Sequence, residues 1–253
     1  MTKIVAISNQ KGGVGKTTTA VNLSAALGIK GKKVILVDLD PQGNATSSSG
    51  LEKNKLTQTV YNLLVNNSET KSVIVKSKFY DVIPANQNLA AAELELVGVK
   101  HREAQLKNKL HQDNQYDYIL LDCPPSLGLI TINALTAAHS VLIPMQCEYF
   151  ALEGLTDLVN TIKKIKKQIN TEIQIEGLLR TIYDRRNKLT KEVSDQLSAY
   201  FPNKVYKTIV PRNVRIAEAP SHGQSAIQFD KRSKGAKAYI ELAEEIIEKE
   251  GRV

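Results

Sequence analysis

The sequence predicts an α/β fold, with a single doubly wound and mostly parallel sheet and helices on both of its faces. Continuous apolar runs such as Ile119-Leu120-Leu121 alternate with longer segments that have helical spacing. Strands that are apolar throughout are typical of a parallel sheet covered on both sides. No proline- or glycine-rich linker and no internal repeat interrupts the 253 residues. We therefore predict one domain spanning residues 1–253.

The individual elements follow from the spacing of apolar residues along the chain. Strands are expected at residues 3–8, 33–38, 80–84, 116–122, 140–144, 173–183 and 204–210. Helices are expected at residues 17–29, 56–65, 88–111, 129–138, 152–169, 190–201 and 234–249, with Gly98 as a break in the third. Ligands of such sheets bind at the carboxyl ends of the strands. The polar segments 10–18, 38–44 and 122–126 follow three of these strands, so the site is expected there.

The segment KGGVGKTT at residues 11–18 has the composition of a phosphate-binding loop. It follows an apolar strand and opens a helix, which is the context that such a loop requires. Its glycines let backbone N–H groups turn toward phosphate oxygens, and the helix N-terminus favours an anion. Lys16 is expected to reach the β- and γ-phosphates, and the Thr17 hydroxyl to ligate Mg²⁺. We therefore predict ATP and Mg²⁺ as ligands, with nucleotide contacts from Lys11, Gly12, Gly13, Val14, Gly15, Lys16, Thr17 and Thr18.

The start of this loop departs from the general pattern. Gln10 stands six residues before Lys16, where glycine is usual, and Lys11 begins the loop. Two lysines at one site repel each other unless additional negative charge is present. A nucleotide held between two subunits would supply that charge. We therefore expect a homodimer in which Lys11 of one subunit reaches the phosphates bound to the other.

Three carboxylates, Asp38, Asp40 and Asp122, come at the ends of predicted strands. Alternation along the chain points Asp38 and Asp40 in the same direction, toward the phosphates. One of the two is expected to hold Mg²⁺ through water, and the other to orient the attacking water. Asp122 has the position of the acid that supports Mg²⁺ through its water shell. ATP hydrolysis is the chemistry that this set predicts.

The positive charge of the chain is concentrated in one window. Residues 160–237 contain 17 Lys and Arg against 7 Asp and Glu, a net charge of +10, whereas residues 1–159 contain 15 against 14. A basic surface of this kind suits a polyanionic partner, although solvated lysines serve solubility as well. The residues expected to contact DNA phosphates in this window include Lys231, Arg232, Lys234 and Lys237.

Four motifs resemble those of the ParA/Soj family of chromosome- and plasmid-partition ATPases: KGGVGKTT, DLDPQGN, LLDCPPSLG and PRNVRIAEAPSHG. The resemblance runs nearly end to end and is closest to the short chromosomal Soj type. It implies a P-loop NTPase fold with a deviant Walker A loop and Lys11 as the signature lysine. It also implies that Asp40 is needed for hydrolysis rather than for ATP binding. The expected catalytic residues are therefore Lys11, Lys16 and Asp40, and the expected metal residues are Thr17, Asp40 and Asp122.

The same resemblance implies partners. It implies an ATP-bound sandwich dimer that binds double-stranded DNA without sequence preference, and a ParB/Spo0J-type protein whose N-terminus stimulates slow hydrolysis. Pro211 and Asn213 are expected beside the adenine, and Arg186 and Arg215 fall where Soj-like proteins contact DNA. The expected location is cytoplasmic and nucleoid-associated.

Three alternatives share parts of this pattern. MinD-like positioning ATPases end in a basic amphipathic helix that binds membranes, but residues 243–253 are acidic, so no membrane partner is expected. Nitrogenase iron protein-like reductases hold an iron–sulfur cluster between subunits, and Cys123 and Cys147 do not have that arrangement. A small-molecule kinase would need a second substrate site, which no motif indicates.

Overall fold

The fold is described by a computed structural model of residues 2–111 and 115–251. The strands are β1 Lys3–Ile7, β2 Val34–Asp38, β3 Val75–Lys76, β4 Asp81–Ile83, β5 Tyr118–Asp122, β6 Ser140–Gln146, β7 Gln174–Tyr183 and β8 Val205–Pro211. They form one sheet in the order β3-β4-β2-β5-β1-β6-β7-β8. The neighbours run parallel except for β3, which pairs antiparallel with β4 at one edge. The predicted mostly parallel sheet is therefore confirmed.

Helices connect the strands in chain order, except β3 and β4, and the last helices follow β8. Their bounds are α1 Lys16–Ile29, α2 Asn44–Ser48, α3 Val60–Leu64, α4 Thr70–Val73, α5 Leu89–Glu95, α6 Gln105–Leu110, α7 Leu129–Ala137, α8 Ala151–Gln168, α9 Lys188–Tyr200, α10 Val214–Glu218, α11 Ala226–Phe229 and α12 Lys234–Glu250. Short 3₁₀ turns occur at Lys53–Lys55, Leu96–Gly98, Arg102–Ala104 and Ala219–His222. Within the described part of the chain, no helix has the length and apolarity needed to cross a membrane.

Alternation along the strands sends apolar side chains to both faces of the sheet. Ile4 and Ala6 of β1 belong to a core formed with α3 and α5 to α9. Val5 and Ile7 belong to a second core on the opposite face, formed chiefly with α1 and α12. The sheet is thus covered on both sides, as a doubly wound fold requires.

Several element bounds differ from the predicted ones. The helix expected from residue 56 begins at Val60, because Thr59 and Asn62 form a capping box at its N-terminus. The helix expected over residues 88–111 is divided near Gly98, as predicted, into α5, two 3₁₀ turns and α6. The missed helix α2 has the sequence NATSS, which has low helix propensity. Its formation depends on tertiary hydrogen bonds from Thr46 to Asp38.

The sheet order brings the predicted site residues together. Strand β5 lies between β1 and β2, with Asp122 in register with Ile7 on one side and Asp38 on the other. The loop after β1 therefore lies beside the ends of β2 and β5. This common edge is the carboxyl end of the parallel strands, where the ligand was expected.

Candidate nucleotide-binding site

The loop between β1 and α1 has the backbone shape that an anion cradle requires. Gly13 and Gly15 have φ values of 74° and 87°, a region that residues with a Cβ rarely adopt. Helix α1 begins directly afterwards at Lys16, so its N-terminus points into the site. The Thr181 hydroxyl, at the end of β7, donates a hydrogen bond of 2.7 Å to the carbonyl oxygen of Val14. This buried contact ties the loop to β7, which is separated from β1 by β6.

A cavity of about 590 Å³ extends from this loop to the segment after β8. Its size is within the usual range for small-ligand sites. Nine of the residues predicted to bind nucleotide, metal or water line it: Gly12, Gly13, Gly15, Lys16, Thr17, Thr18, Asp40, Pro211 and Asn213. The phosphate loop and the expected adenine segment therefore belong to one continuous cavity.

The two lysines of the loop have different environments. Lys16 is buried, its Nζ donates to the carbonyl oxygen of Lys11 at 3.0 Å, and burial lowers its pKa. Lys11 does not line the cavity, and its Nζ forms an ion pair of 2.6 Å with Glu148 after β6. Val14 is also outside the lining, with its side chain buried. Lys16 therefore lines the cavity at the phosphate loop, while Lys11 lies at the surface of the subunit.

Asp122 is the buried acid beneath the loop. Its side chain is 0% exposed, and neither carboxylate oxygen has a hydrogen-bond partner of good geometry in residues 2–111 and 115–251. Burial and the charge of Asp38 raise its pKa well above the usual range, while the Thr17 hydroxyl and Lys16 oppose that rise. A buried carboxylate without partners is costly unless a ligand compensates for it. Water molecules bound to a metal ion would supply the missing donors.

The remaining donors fit Mg²⁺ better than a protein-caged metal. Among the described residues, no group of three or more His, Cys, Asp or Glu side chains is close enough to hold a metal ion. Mg²⁺ usually takes only one or two protein ligands and completes its shell with water and substrate phosphates. Thr17 and Asp40, which line the cavity, and Asp122 below it are the residues that would hold the ion.

Asp38 and Asp40 do not have equivalent positions, contrary to the expectation from alternation. Asp38 is fully buried, and its Oδ2 accepts hydrogen bonds from the backbone and hydroxyl of Thr46 at 2.8 and 2.7 Å. Burial raises the pKa of Asp38 to about 6. Asp40 instead lines the cavity, and its Oδ1 accepts a bond from the backbone of Gln42. Asp38 therefore stabilises the loop that contains Asp40.

Several residues of the cavity were missed from the sequence. Thr181, Ile182, Ile216 and Tyr239 line it, although they come from β7, α10 and α12. Ile182 has a φ of 50°, which is exceptional for a β-branched residue and indicates backbone strain. No motif marked these positions, because they approach the loop only through the order of the strands.

The residues predicted to contact DNA are all exposed. Arg186 follows β7, and Arg215 lies in α10, where its Nε is 3.7 Å from Asp230, the residue before Lys231. The backbone N–H of Arg212 donates to the carbonyl oxygen of Tyr183, which joins the segments after β7 and β8. Lys231, Arg232, Lys234 and Lys237 surround the first turn of α12. The residues of α10 and of the start of α12 thus lie close together, and Arg186 follows Ile182, which lines the cavity.

The strand–loop–helix geometry, the buried acid and the cavity define a P-loop nucleotide hydrolase. A family profile described as an AAA domain matches residues 2–175. The sporulation initiation inhibitor protein Soj of Bacillus subtilis is 55% identical over 249 residues, which are 97% of this chain and 98% of that protein. The chromosome partitioning protein ParA of Caulobacter vibrioides is 44% identical, over 98% and 95% of the two chains. The chain therefore belongs to the ParA/Soj family of partition ATPases.

Solved structures show the same architecture. Cobyrinic acid a,c-diamide synthase from Mycobacterium smegmatis, with a bound ATP analogue and magnesium, superposes with a TM-score of 0.85. It is 37% identical, over 96% of this chain and 93% of that one. The cell division ATPase MinD of Pyrococcus furiosus has a TM-score of 0.80 at 26% identity, over 98% and 99% of the two chains. The predicted P-loop NTPase fold is confirmed by these neighbours.

Proposed function

We propose that this partition ATPase is a dimerisation switch that binds double-stranded DNA without sequence preference while ATP is bound. The observation that carries the proposal is the position of the exposed basic residues. Arg186, Arg215 and the first turn of α12 lie beside segments that also line the nucleotide cavity. A change at the nucleotide can therefore reach the basic surface over a short distance.

The placement of lysines on α12 supports phosphate binding. Lys234 and Lys237 lie in or near its first turn, which contains no acidic residue. Cations are disfavoured at a helix N-terminus, so these lysines do not stabilise the helix. Both side chains are exposed, where they can contact an anion. Because the chain has no Trp and only four Phe, phosphate contacts are favoured over base stacking.

The proposed dimer accounts for the position of Lys11. Its side chain lies at the surface, and the adjacent residues after Glu148 are two exposed aromatic rings. Tyr149 and Phe150 are 74% and 64% exposed, and their rings pack edge to face with their centroids 5.0 Å apart. A second copy facing this surface would cover both rings and present its nucleotide to Lys11. The phosphates would then replace Glu148 as the partner of that lysine.

Within each subunit the residues divide the work of hydrolysis. Lys16 and the loop N–H groups hold and orient the phosphates, so that charge developing in the transition state is stabilised. Asp40 orients the attacking water from the cavity wall. Thr17 and Asp122, together with Asp40, would hold Mg²⁺, which would neutralise charge on the phosphate oxygens. The electrostatic positioning of groups carries most of such a reaction.

A MinD-like membrane function is less consistent with α12. Its apolar residues are buried in the second core, and the part from residue 241 onward carries Glu241, Glu244, Glu245, Glu248 and Glu250. Neither feature suits binding to an anionic lipid surface. Cosedimentation with DNA and with anionic liposomes separates the two functions. We expect ATP-dependent sedimentation with DNA alone, and sedimentation with liposomes alone would overturn the proposal.

We further propose that a ParB-type partner stimulates hydrolysis through its N-terminus, and that the protein acts on the nucleoid. The support is the family membership together with the half-exposed ion pair at Lys11, which a partner could reach. The test measures the ATPase rate alone, with DNA, with a peptide of the partner's N-terminus, and with both. The proposal predicts the fastest rate with both present. A rate that neither addition changes would contradict it.

A further inference from the structure

Both arginines predicted to contact DNA are already engaged by carboxylates of their own subunit. The Nε and Nη2 atoms of Arg186 donate to Oδ1 and Oδ2 of Asp184 at 3.0 and 2.8 Å. The backbone N–H of Arg186 also donates to Oδ1, so Asp184 is held by the chain as well. These hydrogen bonds lower the pKa of Asp184 to about 2. The pair is therefore bidentate and ionised at neutral pH.

Arg215 has a comparable arrangement. Its Nη1 donates to Oε2 of Glu218 at 2.9 Å, and its Nε lies 3.7 Å from Oδ2 of Asp230. Its guanidinium group also lies 5.9 Å from the centre of the Phe229 ring. By contrast, the four cations before and in the first turns of α12 form none of the ion pairs found among residues 2–111 and 115–251. These cations are Lys231, Arg232, Lys234 and Lys237.

We propose that Asp184 and Glu218 are intramolecular competitors of DNA phosphate, each occupying donors of the arginine that DNA would otherwise use. A carboxylate and a phosphate both offer a pair of oxygens that matches the fork of a guanidinium group. DNA must therefore displace the acid before Arg186 or Arg215 can bind it. The proposal rests on the DNA-binding function proposed above and concerns how that binding is kept weak in a free subunit.

The segment that carries the first pair is connected to the nucleotide cavity. Arg186 lies four residues after Ile182, whose strained backbone lines that cavity. Thr181, one residue earlier, is hydrogen-bonded to the phosphate loop at Val14. A loop rearranged by ATP would act on this strained strand end and on the turn that follows it. The ion pair between Asp184 and Arg186 is thus placed where nucleotide binding can weaken it.

Removal of either acid is expected to raise DNA affinity only modestly. Both pairs are exposed, with the Arg186 side chain 89% accessible to solvent. Exposed ion pairs are weak, so removing one competitor should raise DNA affinity by only about twofold to fivefold. Asp184→Asn suits the test, because the amide oxygen can still accept the backbone bond from Arg186 while the charge is lost. Glu218→Gln is the corresponding change beside Arg215.

The test measures affinity for a short duplex at fixed salt, without nucleotide and with ATP, for wild type, Asp184→Asn and Glu218→Gln. Asp195→Asn is the matched control, because this exposed acid on α9 lies in the same basic window and in none of the ion pairs of the described residues. The double variant Asp184→Asn with Arg186→Ala shows whether the effect acts through Arg186.

We expect the two single variants to gain affinity without nucleotide, the control to gain less, and the gain of Asp184→Asn to vanish when Arg186 is replaced. An equal gain in the control, or a gain that survives without Arg186, would mean that only net charge matters and would overturn the proposal. No gain in either variant, with wild type binding DNA in ATP, would also overturn it and leave the DNA-binding function intact. Failure of wild type to bind DNA in any nucleotide state would instead refute that function.

Discussion

Replacement of Thr181 by valine tests whether β7 holds the phosphate loop in its binding conformation. The substitution preserves shape but removes the hydroxyl that donates to the carbonyl oxygen of Val14 at 2.7 Å. Both residues are 1% exposed, so water cannot readily replace the lost donor. A buried acceptor left without a partner costs about 1–3 kcal/mol. If the loop relaxes to satisfy it, ATP affinity should fall by about fivefold to a hundredfold.

Isothermal titration calorimetry with a slowly hydrolysed ATP analogue measures this loss directly. Thr208→Val is the matched control, because Thr208 lies on the adjacent strand β8, outside the cavity lining, and its hydroxyl donates to Glu245 of α12 at 2.9 Å. Thr181→Ser retains the hydroxyl and should restore most of the affinity. An affinity of Thr181→Val within twofold of wild type, or an equal loss in Thr208→Val, would refute the proposed role of this contact.

Four further predictions concern single side chains of the loop, the cavity and the core. Lys16→Ala should abolish measurable ATP binding, because Lys16 is the lysine of the phosphate loop that lines the cavity. Near wild-type ATP affinity in this variant would exclude that role. Asp40→Ala should still bind ATP and dimerise but hydrolyse it at least about a hundredfold more slowly, as single-turnover kinetics would report. Lys11→Ala should bind ATP as a monomer yet form a weak dimer in size-exclusion chromatography, and a dimer as stable as wild type would restrict Lys11 to its own subunit. Burial lowers the pKa of His139, whose Nδ1 accepts a hydrogen bond from the backbone N–H of Ile4. The free energy of unfolding should therefore fall on acidification below about pH 6.5, and it should fall less in His139→Gln.

The phosphate loop and its neighbouring acids could be predicted from sequence because their chemistry is local. KGGVGKTT specifies its own turn, and the apolar runs before it and before Asp40 specify strands. The parallel sheet then brings these strand ends together whatever the details of the intervening helices. This is why the parallel sheet and nine of the nineteen residues that line the cavity could be predicted from the sequence.

Contacts between segments that are distant in the sequence could not be predicted from local patterns. The bonds from Thr181 to Val14 and from Lys11 to Glu148 join residues more than a hundred positions apart. Alternation predicted that Asp38 and Asp40 point in the same direction. The burial of Asp38 depends instead on its hydrogen bond with Thr46, in a helix whose sequence has low helix propensity. Such features arise from tertiary packing, which overrides local preference.

The salt dependence of DNA affinity in ATP and in ADP tests the central claim most directly. A dimer that neutralises about six phosphates should lose about a thousandfold in affinity between low and moderate salt, with a slope of roughly −5 in log affinity against log salt. With ADP, a monomer offers half of these contacts, so both the affinity and the slope should be much smaller. Equal affinities and slopes in the two nucleotides would contradict an ATP-controlled switch, and a strong dependence on DNA sequence would contradict binding through phosphates alone.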